Sequence, residues 1–234
     1  DVVYATSTPL TVAIPGIISK ILLRRKFVFE VRDSWPELPY QMGLLSNKFV
    51  YYSLLILEKL AYVSSDICIG LAPGICEIIE SKGIIKSKII NIPNSCDVDI
   101  FQPLEQEKIK KPQLINDYFS SNDFVAAFTG AHGIANGLES VLDVAMILKK
   151  RKVNHIKFLF IGDGKVKEKL KQIKMKNNLS NCFFMEPIKK DKLALILKNS
   201  VHVGMMVLKN IEAFYNGTSP NKFFDYIASG LPVI

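Results

Sequence analysis

Short apolar runs alternate with amphipathic ones along the chain, and the alternation itself predicts the architecture. Runs at 2–6, 27–31, 67–71 and 88–92 are rich in Val, Ile and Phe and read as strands. Between them, 10–23, 48–63 and 74–81 carry apolar residues at helical spacing. The pattern stops at Pro93-Asn94, and 102–122 has linker composition, with two prolines, a charged run at 105–111 and the turn-like Ser120-Ser121-Asn122-Asp123. It then restarts with strands at 124–129, 156–161, 182–185 and 201–207, and helices at 138–150, 166–176, 193–198 and 221–229. Strands alternating with helices imply parallel sheets covered by helices through right-handed crossovers. The expected fold is therefore α/β, with two Rossmann-like domains at 1–103 and 104–234 facing a ligand cleft at the carboxyl ends of their strands. Because the chain opens on the strand-like Val2-Val3-Tyr4-Ala5 and closes on Leu231-Pro232-Val233-Ile234, the expectation is a fragment truncated at both ends, with bare strand edges there.

Charge sharpens this picture. Residues 1–103 hold ten Lys and Arg against ten Asp and Glu, so the whole net charge of +8 falls on 104–234. A basic half suits an anionic ligand: nucleic acid, a lipid surface or a nucleotide diphosphate. Lys165, Lys167, Lys169, Lys171, Lys174 and Lys176 read more simply as the solvated face of one helix. Cys68, Cys76, Cys96 and Cys182 form no CxxC pair, which predicts buried free thiols in a reducing, cytoplasmic setting. His132, His155 and His202 are too scattered for a zinc site. No run reaches the length of a membrane span. No aromatic–basic interleaving marks a nucleic-acid reader.

Three segments carry candidate chemistry. In residues 217–230, GTSPNKFFDYIASG, Ser219 reads as helix cap, Pro220 as first helical residue and Gly230 as stop. Phe223, Phe224 and Ile227 are expected to face the core, with Asn221, Lys222 and Asp225 on the opposite face. The helix start offers N–H groups and a positive dipole end to phosphate; Lys222 adds a point charge, and Asp225 an acceptor for vicinal ribose hydroxyls. A capped surface helix with an ordinary ion pair fits the same residues. The second segment, residues 128–137, runs a strand into a glycine turn whose Gly130 and Gly133 permit close approach of a phosphate. His132 there either donates to a phosphate or sugar oxygen or simply faces water, and Gly162 in Ile161-Gly162-Asp163-Gly164 repeats the turn one unit later. The third, residues 29–37, sets Asp33 and the lone Trp35 at a strand's carboxyl end. A loop salt bridge from Arg32 to Asp33 or Glu37, under a Trp35 lid, is its structural alternative.

In that order these segments resemble retaining family-four glycosyltransferases of the B-type fold. Residues 92–103, IPNSCDVDIFQP, are similar to that family's interdomain crossing, with Ser95-Cys96 where Gly-Val is usual. The VRDSWPE, TGAHGIANGLE and SPNKFFDYIASGLPVI stretches are particularly similar to a bacterial subgroup that builds surface polysaccharide, such as N-acetyl-fucosamine transferases. The resemblance covers nearly the whole chain. It implies a nucleotide-sugar donor in the second half and a glycan or polyprenyl-linked acceptor in the first, at the inner face of the cell membrane. It implies no cofactor and no metal. It assigns Gly130, Gly133, Gly162, Ser219, Asn221, Lys222 and Asp225 to the donor, and Asp33 and His132 to catalysis. Two departures stand out: the family's first ribose-side acid falls on Gly217, and its two diphosphate-gripping bases fall on Ala131 and Asn136. A sugar-nucleotide epimerase of the same fold and a non-catalytic nucleotide binder are the alternatives those departures leave open.

Overall fold

The computed structural model describes residues 1–101 and 118–234; most of the expected linker, and the expected domain boundary at 103/104, lie outside the described residues. The chain divides into two compact units. In the first, β1 (Val2–Thr6), β2 (Lys26–Val31), β3 (Ile67–Gly70) and β4 (Ile89–Asn91) form a parallel sheet in chain order. The crossovers are α1 (Ala13–Leu22), the pair α2 (Glu37–Gln41) and α3 (Lys48–Ser64), and α4 (Pro73–Ser81). The period-2 alternation of β2 sends Phe27, Phe29 and Val31 into a core with Ala61, Tyr62, Ile75 and Ile79. Asn47 caps α3, its Oδ1 accepting from Phe49 N at 2.9 Å and Val50 N at 3.3 Å. The five-residue α2, with a proline inside it, has too little periodicity to be read from sequence.

One acid inside α3 is unlike the rest of that helix. Glu58 is buried, accepts from Tyr62 Oη at 2.8 Å and pairs with Lys82 Nζ at 2.9 Å, which also reaches Glu37 at 3.3 Å. Burial pushes the Glu58 carboxyl above its usual range against the pull of Lys82. Removing one partner of a buried pair leaves its charge uncompensated, so Lys82→Met is expected to cost about 3 kcal/mol of stability. Urea denaturation of wild type and variant checks this.

The second unit contains α5 (Val98–Phe101), β5 (Phe124–Thr129), α6 (Glu139–Lys150), β6 (Ile156–Ile161) and α7 (Lys167–Lys176), then β7 (Cys182–Met185), α8 (Lys190–Ser200), β8 (Val203–Gly204) and α9 (Asn221–Ala228). Its parallel strands run β7-β6-β5-β8, so chain order reverses between β5 and β8. Both faces are covered. Ala126, Phe128, Phe158 and Phe160 feed one core, while Val125, Ala127, Leu159 and Ile161 feed the other. Val233 bridges Gly204 in parallel.

Unit one comprises Asp1–Asn94 with Asn210–Ser219, and unit two Ser95–Lys209 with Pro220–Ile234. Phe101 is buried in the second unit's core, which draws Ser95 onward into that unit. The 210–219 stretch is held by first-unit groups: Ala213 N donates to Gln41 Oε1 at 2.8 Å, and Ser219 Oγ accepts from Asn94 N at 2.8 Å. Strand β8 is shorter than the expected 201–207. Its last ladder bond is Met205 N to Ala127 O at 2.7 Å, and beyond it the Thr129 N–H turns to the Tyr226 hydroxyl at 2.9 Å.

Candidate functional site

The reversal of strand order at β5 marks the end of that strand as the place where a doubly wound sheet binds its ligand, and the sequence around it explains why the β5–β8 ladder ends there. The Tyr226 hydroxyl accepts from Thr129 N and, at 3.1 Å, from Thr129 Oγ1. The carbonyl oxygens of Ala127 and Met205, at 3.2 and 3.4 Å, share its single proton. A side chain thus occupies the place where β5 and β8 would otherwise continue their ladder. This bonding turns α9 over relative to expectation. Asp225, Tyr226 and Ser229 are buried, whereas Ile227 is 54% exposed and Phe223 and Phe224 only half-buried. Four polar contacts for one hydroxyl outweigh the burial of one more aliphatic side chain.

Lys222 lies one turn before Tyr226 and so shares its face. Its Nζ sits 3.9 Å from the centre of the Phe128 ring and donates to Asn136 Oδ1 at 3.2 Å. Asn136 in turn donates to Ala131 O at 2.8 Å, tying the ammonium to the turn after β5. A Cβ on Gly130 would stand 3.6 Å from Lys222 Cε. Lys222 and the glycine turn therefore adjoin each other, and burial pulls the ammonium down to about 8. Helix α9 has no side-chain cap, so its first N–H groups are left for solvent or a ligand.

The two glycine turns also meet, but each packs on the other. Gly130 (φ +113°) donates its N–H to Ile161 O at 2.9 Å. A Cβ on Gly162 (φ +144°) would fall 2.0 Å from Gly130 O. Gly162 is thus required by neighbouring backbone, without appeal to a phosphate. Gly133 has ordinary extended backbone and room for a Cβ, so neither conformation nor space demands glycine there. Beside these turns is a cavity of about 320 Å³ lined by Gly130, Ala131, Gly162, Asp163, Ile188 and Leu193.

Other expected site residues have surroundings different from those the sequence suggested. Ser219 does not cap α9, since its hydroxyl is engaged with Asn94; Pro220 takes the cap position and the helix starts at the exposed Asn221. His132 does not face water. It is fully buried among Phe128, Phe160 and Phe184, with ring centroids 5.9–6.3 Å away, and both ring nitrogens lack a partner among the described residues. Burial, then the Lys167 charge, lowers its pKa to about 4, so the ring is a neutral core group at pH 7. Asp225 is buried with Lys190 Nζ 3.1 Å from Oδ1, an ionic contact without hydrogen-bond alignment. Lys190 also lies over the Phe101 ring. Sequence reading missed Lys190, because its partner is 35 residues away. It also misplaced Lys167, which is buried and paired with Glu186 at 2.8 Å rather than solvated.

In the first unit, Asp33 follows β2, with Thr8 Oγ1 3.5 Å from its Oδ2. Burial raises its pKa against the opposing effects of Arg32 and Thr8. Arg32 pairs with Glu30 at 3.6 Å and Glu37 with Lys82, so the alternative reading of a salt bridge from Arg32 to Asp33 or Glu37 gives way to two other pairs. Trp35 packs half-buried on the core. All four cysteines are free, but only Cys68 and Cys182 are buried. Among the described residues no helix is long and apolar enough to cross a membrane.

Comparison with known proteins places this geometry. No family model matches the sequence. The chain is 27% identical over 220 residues to an uncharacterised glycosyltransferase of Methanocaldococcus jannaschii, covering 93% of this chain and 49% of the relative. It is 23% identical over 240 residues to a probable glycosyltransferase, WbjE, of Pseudomonas aeruginosa, covering 100% of this chain and 56% of that protein. The chain thus spans about half the length of these curated relatives. Among solved structures it is similar to HepE of Anabaena in complex with UDP-glucose, with a TM-score of 0.74 at 15% identity over 100% of this chain and 58% of that one. The α/β fold with two parallel sheets is that of B-type glycosyltransferases.

Proposed function

We propose that this chain is part of a glycosyltransferase and that its second unit binds the nucleotide-sugar donor. The observation that carries this is the junction of the Lys222 ammonium, the Gly130 turn and the uncapped start of α9 at the carboxyl end of β5. The two glycosyltransferase relatives support the activity, and the UDP-glucose held by HepE makes UDP the first donor nucleotide to test. In this reading the diphosphate lies against Lys222 and the first N–H groups of α9, where a helix start favours an anion. The adjoining cavity takes the nucleoside. Asp225 accepts from the ribose hydroxyls, with Lys190 holding its carboxylate in place. Because Asn136 positions Lys222, its presence where the family has a base is a rearrangement of the charge rather than a loss of the site.

The reaction breaks the bond between the sugar's anomeric carbon and the diphosphate oxygen, and forms a bond from that carbon to an acceptor hydroxyl oxygen on the same face. The hydroxyl proton passes to the departing phosphate, so configuration is retained without a side-chain nucleophile. Stabilising the negative charge that develops on the leaving group is the protein's main contribution. Lys222 supplies it here without a metal. Asp33, whose carboxyl is pushed above its usual range by burial, is the acceptor-side candidate. The acceptor is a glycan or polyprenyl-linked intermediate in surface-polysaccharide assembly.

Calorimetry with UDP tests the donor half of this reading. Asp225→Ala is expected to weaken UDP binding by about 1–3 kcal/mol, the scale of a hydrogen bond to a charged group. Unchanged affinity would remove Asp225 from the site. Release of free or epimerised sugar with no acceptor present would favour an epimerase, and nucleotide binding without any turnover by the whole protein a binding module.

A further inference from the structure

Helix α9 carries both Lys222 and Asp225, yet at eight residues it is too short to hold a direction of its own. Its rotation about its axis must come from what it packs against, and two features of Tyr226 fix it. The first is a seat for the ring. Tyr226 is fully buried against β8, where a Cβ on Gly204 would fall 2.4 Å from ring atoms Cγ and Cδ2 and 2.8 Å from Cε2. Space, rather than backbone conformation, therefore requires glycine at this position. The seat is rigid. Gly204 pairs with Ala127 on one side and bridges Val233 on the other, its N–H donating to Pro232 O at 2.9 Å and its carbonyl accepting from Ile234 N at 3.0 Å.

The second feature is the hydroxyl, which reaches past the seat to β5. It accepts from Thr129 N and Thr129 Oγ1, and the carbonyls of Ala127 and Met205 share its proton. A ring held at one strand and a hydroxyl held at the next leave the helix no freedom to turn about its axis. Lys222, one turn earlier on the same side, is thereby carried over the Phe128 ring to Asn136 and the Gly130 turn. We propose that Tyr226 is a positioning residue of the donor site: its hydroxyl sets the rotation of α9 that places the Lys222 ammonium where the diphosphate lies, with Gly204 as its counterpart in the sheet. The placement of Lys222 rests on packing within the second unit alone, and only its consequence for binding rests on the donor reading above.

Tyr226→Phe keeps the ring in its seat and removes the hydroxyl, leaving the Thr129 N–H and two carbonyl oxygens buried without their partner. Two measurements on this variant test the proposal. One needs no ligand: the Cε resonance that Lys222→Ala lacks is followed by NMR against pH. In wild type it should titrate at about 8, as burial dictates, and in Tyr226→Phe about one pH unit or more higher, as the ammonium moves into solvent. His132, the titratable group that senses this ammonium, is uncharged throughout that range, and Asp225 on the same helix is occupied by Lys190. The other is a double-mutant cycle on UDP affinity by calorimetry. Tyr226→Phe should weaken UDP binding about fivefold or more alone, and less than about twofold where Lys222 is already alanine, because the hydroxyl acts through that side chain. A Lys222 titration that Tyr226→Phe leaves unmoved, or equal losses with and without Lys222, overturns the proposal. A Lys222→Ala variant with intact UDP affinity dismisses the donor reading instead, and the titration still decides the positioning role. If Tyr226→Phe does not fold, Thr129→Val takes its place, since it removes one bond to the same hydroxyl at nearly constant volume. A smaller change in the same direction is then expected, and no change overturns the proposal.

Discussion

Lys222→Ala should weaken UDP binding about tenfold or more while leaving uridine binding nearly unchanged. The expectation follows from charge accounting at the β5 end. A helix start contributes about 0.3–1 kcal/mol toward an anion, which cannot offset a diphosphate alone. With Asn136 serving as its hydrogen-bond partner, the Lys222 ammonium is set against the Gly130 turn. Charge-assisted hydrogen bonds are worth about 1.5–3 kcal/mol, which is roughly one to two decades in affinity. The same lysine gives the site a pH dependence. Its folded pKa, about 8, lies below the 10.5 of a free lysine, so the folded state binds fewer protons between those values and this group favours folding more as pH rises through them. An anion reverses that tendency by favouring the charged form. UDP binding should therefore take up a proton above pH 8, with affinity falling as pH rises past that point, and Lys222→Ala should flatten the profile. A UDP affinity that Lys222→Ala leaves intact would dismiss the phosphate assignment while leaving the fold untouched.

The strands were legible in sequence because burial on both faces writes near-continuous apolar runs, and β5, β6 and β7 match their predicted bounds. What escaped depends on partners distant in the chain. Helical spacing correctly put Phe223, Phe224 and Ile227 together, yet hydrophobicity gave no reason to prefer the side of α9 that carries Tyr226. That preference comes from a free N–H on Thr129 and two carbonyl oxygens 21 and 99 residues away. Ser219 carries a capping signal, but Asn94, 125 residues distant, claims its hydroxyl first. A turn histidine is ordinarily solvated. His132 is not, because the second glycine loop closes over its backbone through His132 N to Asp163 O and Val166 N to His132 O. Lys222 and the Gly130 turn were legible as a pair because each sits at the end of a clearly periodic element.

Gly162→Ala separates two meanings of a glycine that sequence alone cannot distinguish. If the residue were glycine only to admit a phosphate, alanine would spare the free protein and damage ligand binding. The geometry predicts the reverse order of events. A Cβ at residue 162 would stand 2.0 Å from Gly130 O, 2.9 Å from Gly130 C and 3.4 Å from Gly130 N, all backbone atoms with no rotamer to yield. The φ of +144° adds conformational strain of about 1–3 kcal/mol, and overpacking a close contact typically adds about 1–3 more. The free protein should therefore lose about 2–6 kcal/mol of stability, a large share of what a domain has. Relief requires the β6 turn to back away from the β5 turn, straining the bonds from Gly130 N to Ile161 O and from His132 N to Asp163 O. UDP affinity should then fall as a consequence, through displacement of the Gly130 turn from Lys222. Chemical denaturation of the ligand-free variant decides the matter: wild-type stability with impaired UDP binding would mean that the glycine serves the ligand directly and that the two turns tolerate separation.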